Sequence, residues 1–125
     1  MFTLRNQQIN VSRHEMITKI KEGMAKHQAA YAEAHEDYVK ALIILLDRIR
    51  AQVAAGNLKE TTVNLPAPQS HLKEYQEAIE MLEMSVDETI TLDRDAFKAY
   101  FNNEWAWSTH FESTSAMYKG VLASV

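Results

Sequence analysis

One stretch constrains this chain more than any other. From Ser12 to about Gly56 nothing ends a helix: no proline occurs before Pro66, and Gly23 is the only internal glycine. Ser12 is a suitable N-cap. Its hydroxyl can accept a free N–H of the first turn, and Glu15 three residues later completes a capping box. Val11 and Met16 flank the cap at the spacing of a hydrophobic staple. Gly56-Asn57 supplies the stop. A helix over 12–56 would run roughly 65 Å, whereas a compact domain of this size has a radius of gyration of about 14 Å.

The apolar residues of that helix form a seam. Ile17, Ile20, Met24, His27, Tyr31, Ala34 and Tyr38 alternate steps of three and four, as in a coiled coil. Leu42, Leu45, Ile49 and Val53 continue it after a stutter. Around Ala41–Leu46 apolar residues go nearly all the way round, which requires burial on every side. Either the helix breaks near Gly23, or part of it packs on another copy. The uninterrupted run Lys26–Ala55 favours the second, so a homo-oligomer is expected through Ile20, Met24, His27, Tyr31, Tyr38, Leu42, Leu45 and Ile49. His27 fits a hydrogen-bonded core histidine best, with a polar pin between copies as the sharper alternative.

The remaining elements are short. Residues 1–11 read as a strand or arm. Thr61–Leu65 has the alternation of a strand and is ended by Pro66 and Pro68. A second helix starts at Ser70 or His71 and runs to about Met84, with Leu72, Tyr75, Ala78, Ile79 and Leu82 at helical spacing. Thr89–Leu92 is a second strand. Asp93 caps a third helix that carries Phe97, Tyr100 and Phe101 and is interrupted by Asn102-Asn103. A fourth helix is expected from Glu104 to about Lys119, closed by Gly120. The fold class is mainly α (α+β): one domain over 1–125, with a very long N-terminal helix over 12–56. Residues 57–125 form a small helical part with a two- or three-stranded sheet.

Composition narrows the function. With no cysteine there is no disulfide, no thiolate metal site and no cysteine nucleophile. Three scattered glycines make no phosphate-cradling loop, and neither G-x-S-x-G nor H-E-x-x-H occurs. The chain reads as a non-enzyme with no cofactor and no metal. A net charge of −4 argues against a nucleic-acid partner. No segment reads as a signal peptide or a membrane span.

Two features invite a partner. The second helix carries Glu74, Glu77, Glu80 and Glu83, followed by Asp87 and Glu88; this is a solvated face or a surface for a basic partner. The tryptophans divide on helical geometry. Trp107 is four before Phe111, which is seven before Tyr118, so these three share a buried face. Trp105 is rotated about 200° from Trp107 and is expected to be exposed as a binding platform. Candidate ligand or partner contacts are therefore Trp105, His71, Lys73, Tyr75 and Glu104.

The segments HLKEY, AIEMLEMSVDETITL, FKAY and EWAW, with Phe111 and Tyr118 beyond, together resemble a widespread family of small tailed-phage and prophage proteins of uncharacterised activity. The resemblance covers about residues 71–118. It implies a phage-encoded accessory protein of the host cytoplasm with no assignable catalytic residues. The expected function is to bind and neutralise a host factor or defence pathway as a homo-oligomer. It would do so by protein contact, or by sequestering a small nucleotide signal on His71, Lys73 and an exposed tryptophan. The alternative is a structural or assembly protein of the virion.

Overall fold

The computed structural model describes residues 8–56 and 64–125. The element order is β1 (Ile9–Ser12), α1 (Arg13–Ala54), α2 (Leu72–Met84), β2 (Thr89–Leu92), α3 (Arg94–Ala96), a π-helical turn (Phe97–Phe101) and α4 (Ser108–Ala123). The mainly α, α+β class expected from the sequence is found, with one long N-terminal helix. Two compact units divide the chain. The first joins residues 8–29 to Ser70–Ser108; the second joins residues 30–56 and 64–69 to Thr109–Val125. Helix α1 contributes to both.

In the first unit the start of α1 is held as its sequence implies. The Glu15 N–H donates to Ser12 Oγ at 3.4 Å, and Val11 packs with buried Met16. Strands β1 and β2 pair antiparallel with Ile9 opposite Leu92 and Val11 opposite Ile90. This register puts the four apolar side chains on one face. On the other face Thr91 Oγ1 donates to Asn10 Oδ1 at 2.8 Å. Arg13 ties the pieces together. Its N–H reaches the Glu88 carbonyl at 2.9 Å, Nε the Asp87 carbonyl at 3.0 Å, and Nη1 the Leu82 carbonyl at 3.2 Å. A guanidinium at the C-terminal end of α2 also suits the helix dipole. The core consists of Met16, Ile20, Tyr75, Ile79 and Leu82.

Gly23 does not break α1. A Cβ there would lie 2.9 Å from Asn103 Oδ1 and 3.2 Å from the Tyr75 ring, so the glycine serves close approach rather than flexibility. In the second unit Ala34, Ala41 and Tyr118 are buried, with Tyr38, Leu65, Phe111 and Val121 against them. The Tyr118 hydroxyl donates to the Pro66 carbonyl, and Arg48 Nη2 donates to Ser124 Oγ at 2.6 Å. Small residues at 34 and 41 let neighbouring groups close onto the helix.

Some expectations need correction, and others fall outside the described residues. Ile20, 0 % exposed, is buried within the first unit by its own chain and does not form a seam between copies, and His27 is the hydrogen-bonded core histidine expected rather than a pin between copies. Thr61–Val63 lie outside the described residues, as do residues 1–7 of the expected arm, and Asn64-Leu65 have no strand pairing. Helix α4 begins at Ser108 rather than Glu104 and runs through Gly120 to Ala123. Consequently Trp107 leaves the face it was expected to share: it packs in the first unit, while Phe111 and Tyr118 pack in the second.

Candidate functional site

The predicted site residues of the first unit come together around the N-terminal end of α2, but mostly as packing. Neutral His27 on α1 accepts the His71 backbone N–H on Nε2 at 2.8 Å. This bond occupies one of the N–H groups that a helix start leaves open. The His71 ring stacks on Trp107, with centroids 4.0 Å apart and planes 7° from parallel. Its Nδ1 lies 3.2 Å from Glu74 Oε1. Burial, and then the neighbouring His71, hold the His27 pKa below its ordinary value; Glu74 pulls the other way.

Asn103 is the second hub. Its backbone has φ of 58°, a left-handed conformation that asparagine tolerates better than most residues. Its Oδ1 accepts from the Tyr75 hydroxyl at 2.6 Å and from Trp105 Nε1 at 3.1 Å. Burial pushes the Tyr75 pKa up to about 12, so the phenol stays a donor. The turn at Asn103 is why the tryptophan rotation fails. Residues 103–107 are not helical, and the two indoles stack on each other at 5.9 Å and 23°. Trp105 is half-buried like Trp107, not the exposed platform expected. Tyr75, 2 % exposed, offers a ligand no surface. Glu104 is exposed. Lys73 is exposed and lies 3.7 Å from Glu77.

A second surface has the form of a site, along α2 and sharing Glu74 with the first. A cleft of about 340 Å³ opens between α2 and β2. Met16 lies beneath it, Ala78 and Leu82 form one wall, and Ile90, Leu92 and Tyr100 form the other. Glu74, Glu77 and Met81 also line it. Met81 is 74 % exposed, and Met84 and Val86 beyond it are 84 % and 91 % exposed. The sequence signal was available: Met81 and Met84 fall off the Tyr75–Ile79–Leu82 face that the core consumes.

The second unit has an exposed feature of its own. Val39, Ile43, Leu46 and Val53 on α1 stand in solvent at steps of four, three and seven. This stripe lies beside the expected seam residues Leu42, Leu45 and Ile49, which are half-buried.

Among the described residues, no three histidine, aspartate or glutamate side chains are grouped so as to hold a metal ion. No helix among them is long and apolar enough to cross a membrane. Comparison with family models, curated proteins and solved structures gives no match. The phage resemblance of residues 71–118 therefore rests on its motifs.

Proposed function

We propose that the chain is a non-catalytic binding protein that works by protein contact and self-associates. Its role is the one the phage resemblance implies: binding and neutralising a host factor or defence pathway in the host cytoplasm. The observation that carries this reading is the group of large apolar side chains held out in solvent at the end of α2, beside an open apolar cleft. Contiguous apolar surface rimmed by polar groups is characteristic of interaction sites. Between the two modes, protein contact is the better supported. A nucleotide would have to place its phosphates among Glu74, Glu77 and Glu80, with Lys73 already beside Glu77. A comparison of complexes recovered from infected cells tests this. A protein should co-purify with the wild-type chain and be lost with Met81→Lys/Met84→Lys, both changes being at exposed positions. Identical recoveries would refute it.

Self-association is assigned to the α1 stripe. Val39, Ile43, Leu46 and Val53 follow a seven-residue pattern in which Arg50 takes the place between the last two. A polar group at one such position sets register at a cost in stability. Glu36–Lys40, at 2.9 Å, and Asp47–Arg50, at 3.8 Å, are ion pairs on the same stretch of α1. Ile43→Lys should convert a dimer or larger species to monomer in sedimentation velocity while the chain stays folded, with Tm lowered only by the loss of association. A wild-type monomer at micromolar concentration would exclude the assignment. The same stripe favours a second reading, a structural or assembly protein of the virion. Mass spectrometry of purified virions separates the two, since a protein that acts only in the cell is absent from them.

A further inference from the structure

We propose that the α2–β2 cleft takes an amphipathic helix that presents an apolar anchor flanked by lysine or arginine. This rests on reading the chain as a protein-binding protein, and it names the class of partner. The walls are aliphatic and aromatic carbon from Ala78, Leu82, Ile90, Leu92 and Tyr100. A cleft of about 340 Å³ is at the small end of ligand pockets and suits one inserted side chain. Met84 lies three residues on from Met81 and so shares its helix face. Met84 and Val86, exposed just beyond Met81 in the chain, offer further apolar side chains outside the cleft that a small molecule filling it would not reach. Methionine is flexible and polarizable, and it repacks around an incoming apolar face. A helix laid into a groove through spaced anchors is an established mode of peptide recognition.

Charge chooses among such helices. Helix α2 carries Glu74, Glu77, Glu80 and Glu83 against Lys73 alone. Two of these carboxylates have a cationic neighbour, Lys73 for Glu77 at 3.7 Å and Lys21 for Glu83 at 3.9 Å, and Glu74 lies 3.2 Å from the His71 ring. The carboxylates are about half exposed or more in each pair, where such contacts are worth little. Past the end of the helix Asp87 and Glu88 outnumber the one guanidinium held there, that of Arg13. Cations flanking the anchor would be drawn in, and anionic ligands repelled.

The test is fluorescence anisotropy of the full chain with labelled helical peptides of about five turns. One presents leucine on one face and lysine on the other. In a second, glutamine replaces lysine; in a third, glutamate does. A fourth scrambles the leucine–lysine order. Saturable binding is expected for the leucine–lysine peptide only, weakening as salt is added. Met81→Lys should reduce affinity at least about tenfold, and Glu77→Gln should flatten the salt dependence. Equal binding of the glutamine peptide would overturn the basic partner while keeping the cleft as a protein site. Equal binding of the scrambled peptide, or indifference to Met81→Lys, would overturn the cleft. If an alkyl trimethylammonium bound as tightly as the peptide, the occupant would be a small lipophilic cation instead. Binding of no peptide at tens of micromolar would sink this proposal alone; the reading it rests on stands or falls with the co-purification from infected cells.

Discussion

Gly23→Ala sets two physical rules against each other. In a helix interior, alanine is more favourable than glycine by about 1 kcal/mol, so the sequence alone makes this a stabilising change. The structure reverses the sign. The new methyl carbon would sit 2.9 Å from Asn103 Oδ1 and 3.1 Å from its Cγ, inside van der Waals contact. Asn103 cannot swing away freely, because that oxygen holds the Tyr75 hydroxyl and the Trp105 indole N–H. Each hydrogen bond contributes about 1 kcal/mol net, and a buried hydroxyl left unpaired costs about 1–3 kcal/mol. After subtracting the helix gain, Gly23→Ala should destabilise by about 1–3 kcal/mol. For a chain of this length that is a fall of roughly 4–12 °C in Tm. Urea unfolding followed by tryptophan fluorescence reads it directly, since Trp105 and Trp107 sit in the affected cluster. Asn103→Gly supplies the control. Glycine accepts φ of 58° without strain and removes the obstructing oxygen. In that background the Tyr75 ring still lies 3.2 Å from the new carbon, so the Gly23→Ala penalty should shrink rather than vanish. A stabilised single variant, or the same penalty in both backgrounds, would refute the steric argument.

Acid should weaken the first unit through His27. Its folded pKa is lowered, so below the unfolded value of about 6.5 the unfolded chain binds the proton more readily. Its contribution is present above that pH and is lost as the pH falls below it. The groups facing it from α2 are His71 and Glu74, and a protonated His27 could no longer accept the His71 N–H. His27→Gln, which keeps an acceptor but does not titrate, should shrink the loss of stability between pH 7 and 5 seen in urea melts (equal slopes would exclude His27 as the source). For the tryptophans, Trp105→Ala and Trp107→Ala should both destabilise, each by about 2–4 kcal/mol, because both pack on the same core. A Trp105 variant as stable as wild type would restore it as an exposed contact.

Local signals were legible in the sequence; the partners of each face were not. The Ser12 cap, the β2 strand and the Asp93 cap, whose Oδ1 accepts the Ala96 N–H at 2.7 Å, all follow from neighbouring residues. So does the end of α1 before Gly56, which has φ of 82°. The pairing of β1 with β2 joins segments some eighty residues apart, and no local pattern specifies it. The tryptophan assignment failed on one backbone angle. The sequence predicts an interruption at Asn102-Asn103 and a helix from Glu104, whereas the left-handed turn at Asn103 delays it to Ser108.

The seam shows why an apolar stripe does not by itself imply a second copy. Its pattern of threes and fours states that the face is covered, not what covers it. Here the informative residues are the small ones. Gly23, Ala34 and Ala41 are all buried, and together with Ile20 and His27 they mark a line along α1 where side chains from the same chain approach closely. A helix that packs its small residues against its own chain has used that face. What remains for other molecules is the apolar surface left out of phase with it: Val39, Ile43, Leu46 and Val53 on α1, and Met81 and Met84 on α2. These residues raise no folding requirement that the core has not already met, and exposing them lowers solubility without adding stability. Their arrangement at helical spacing, in two places, is the basis of the contacts with other polypeptides proposed above.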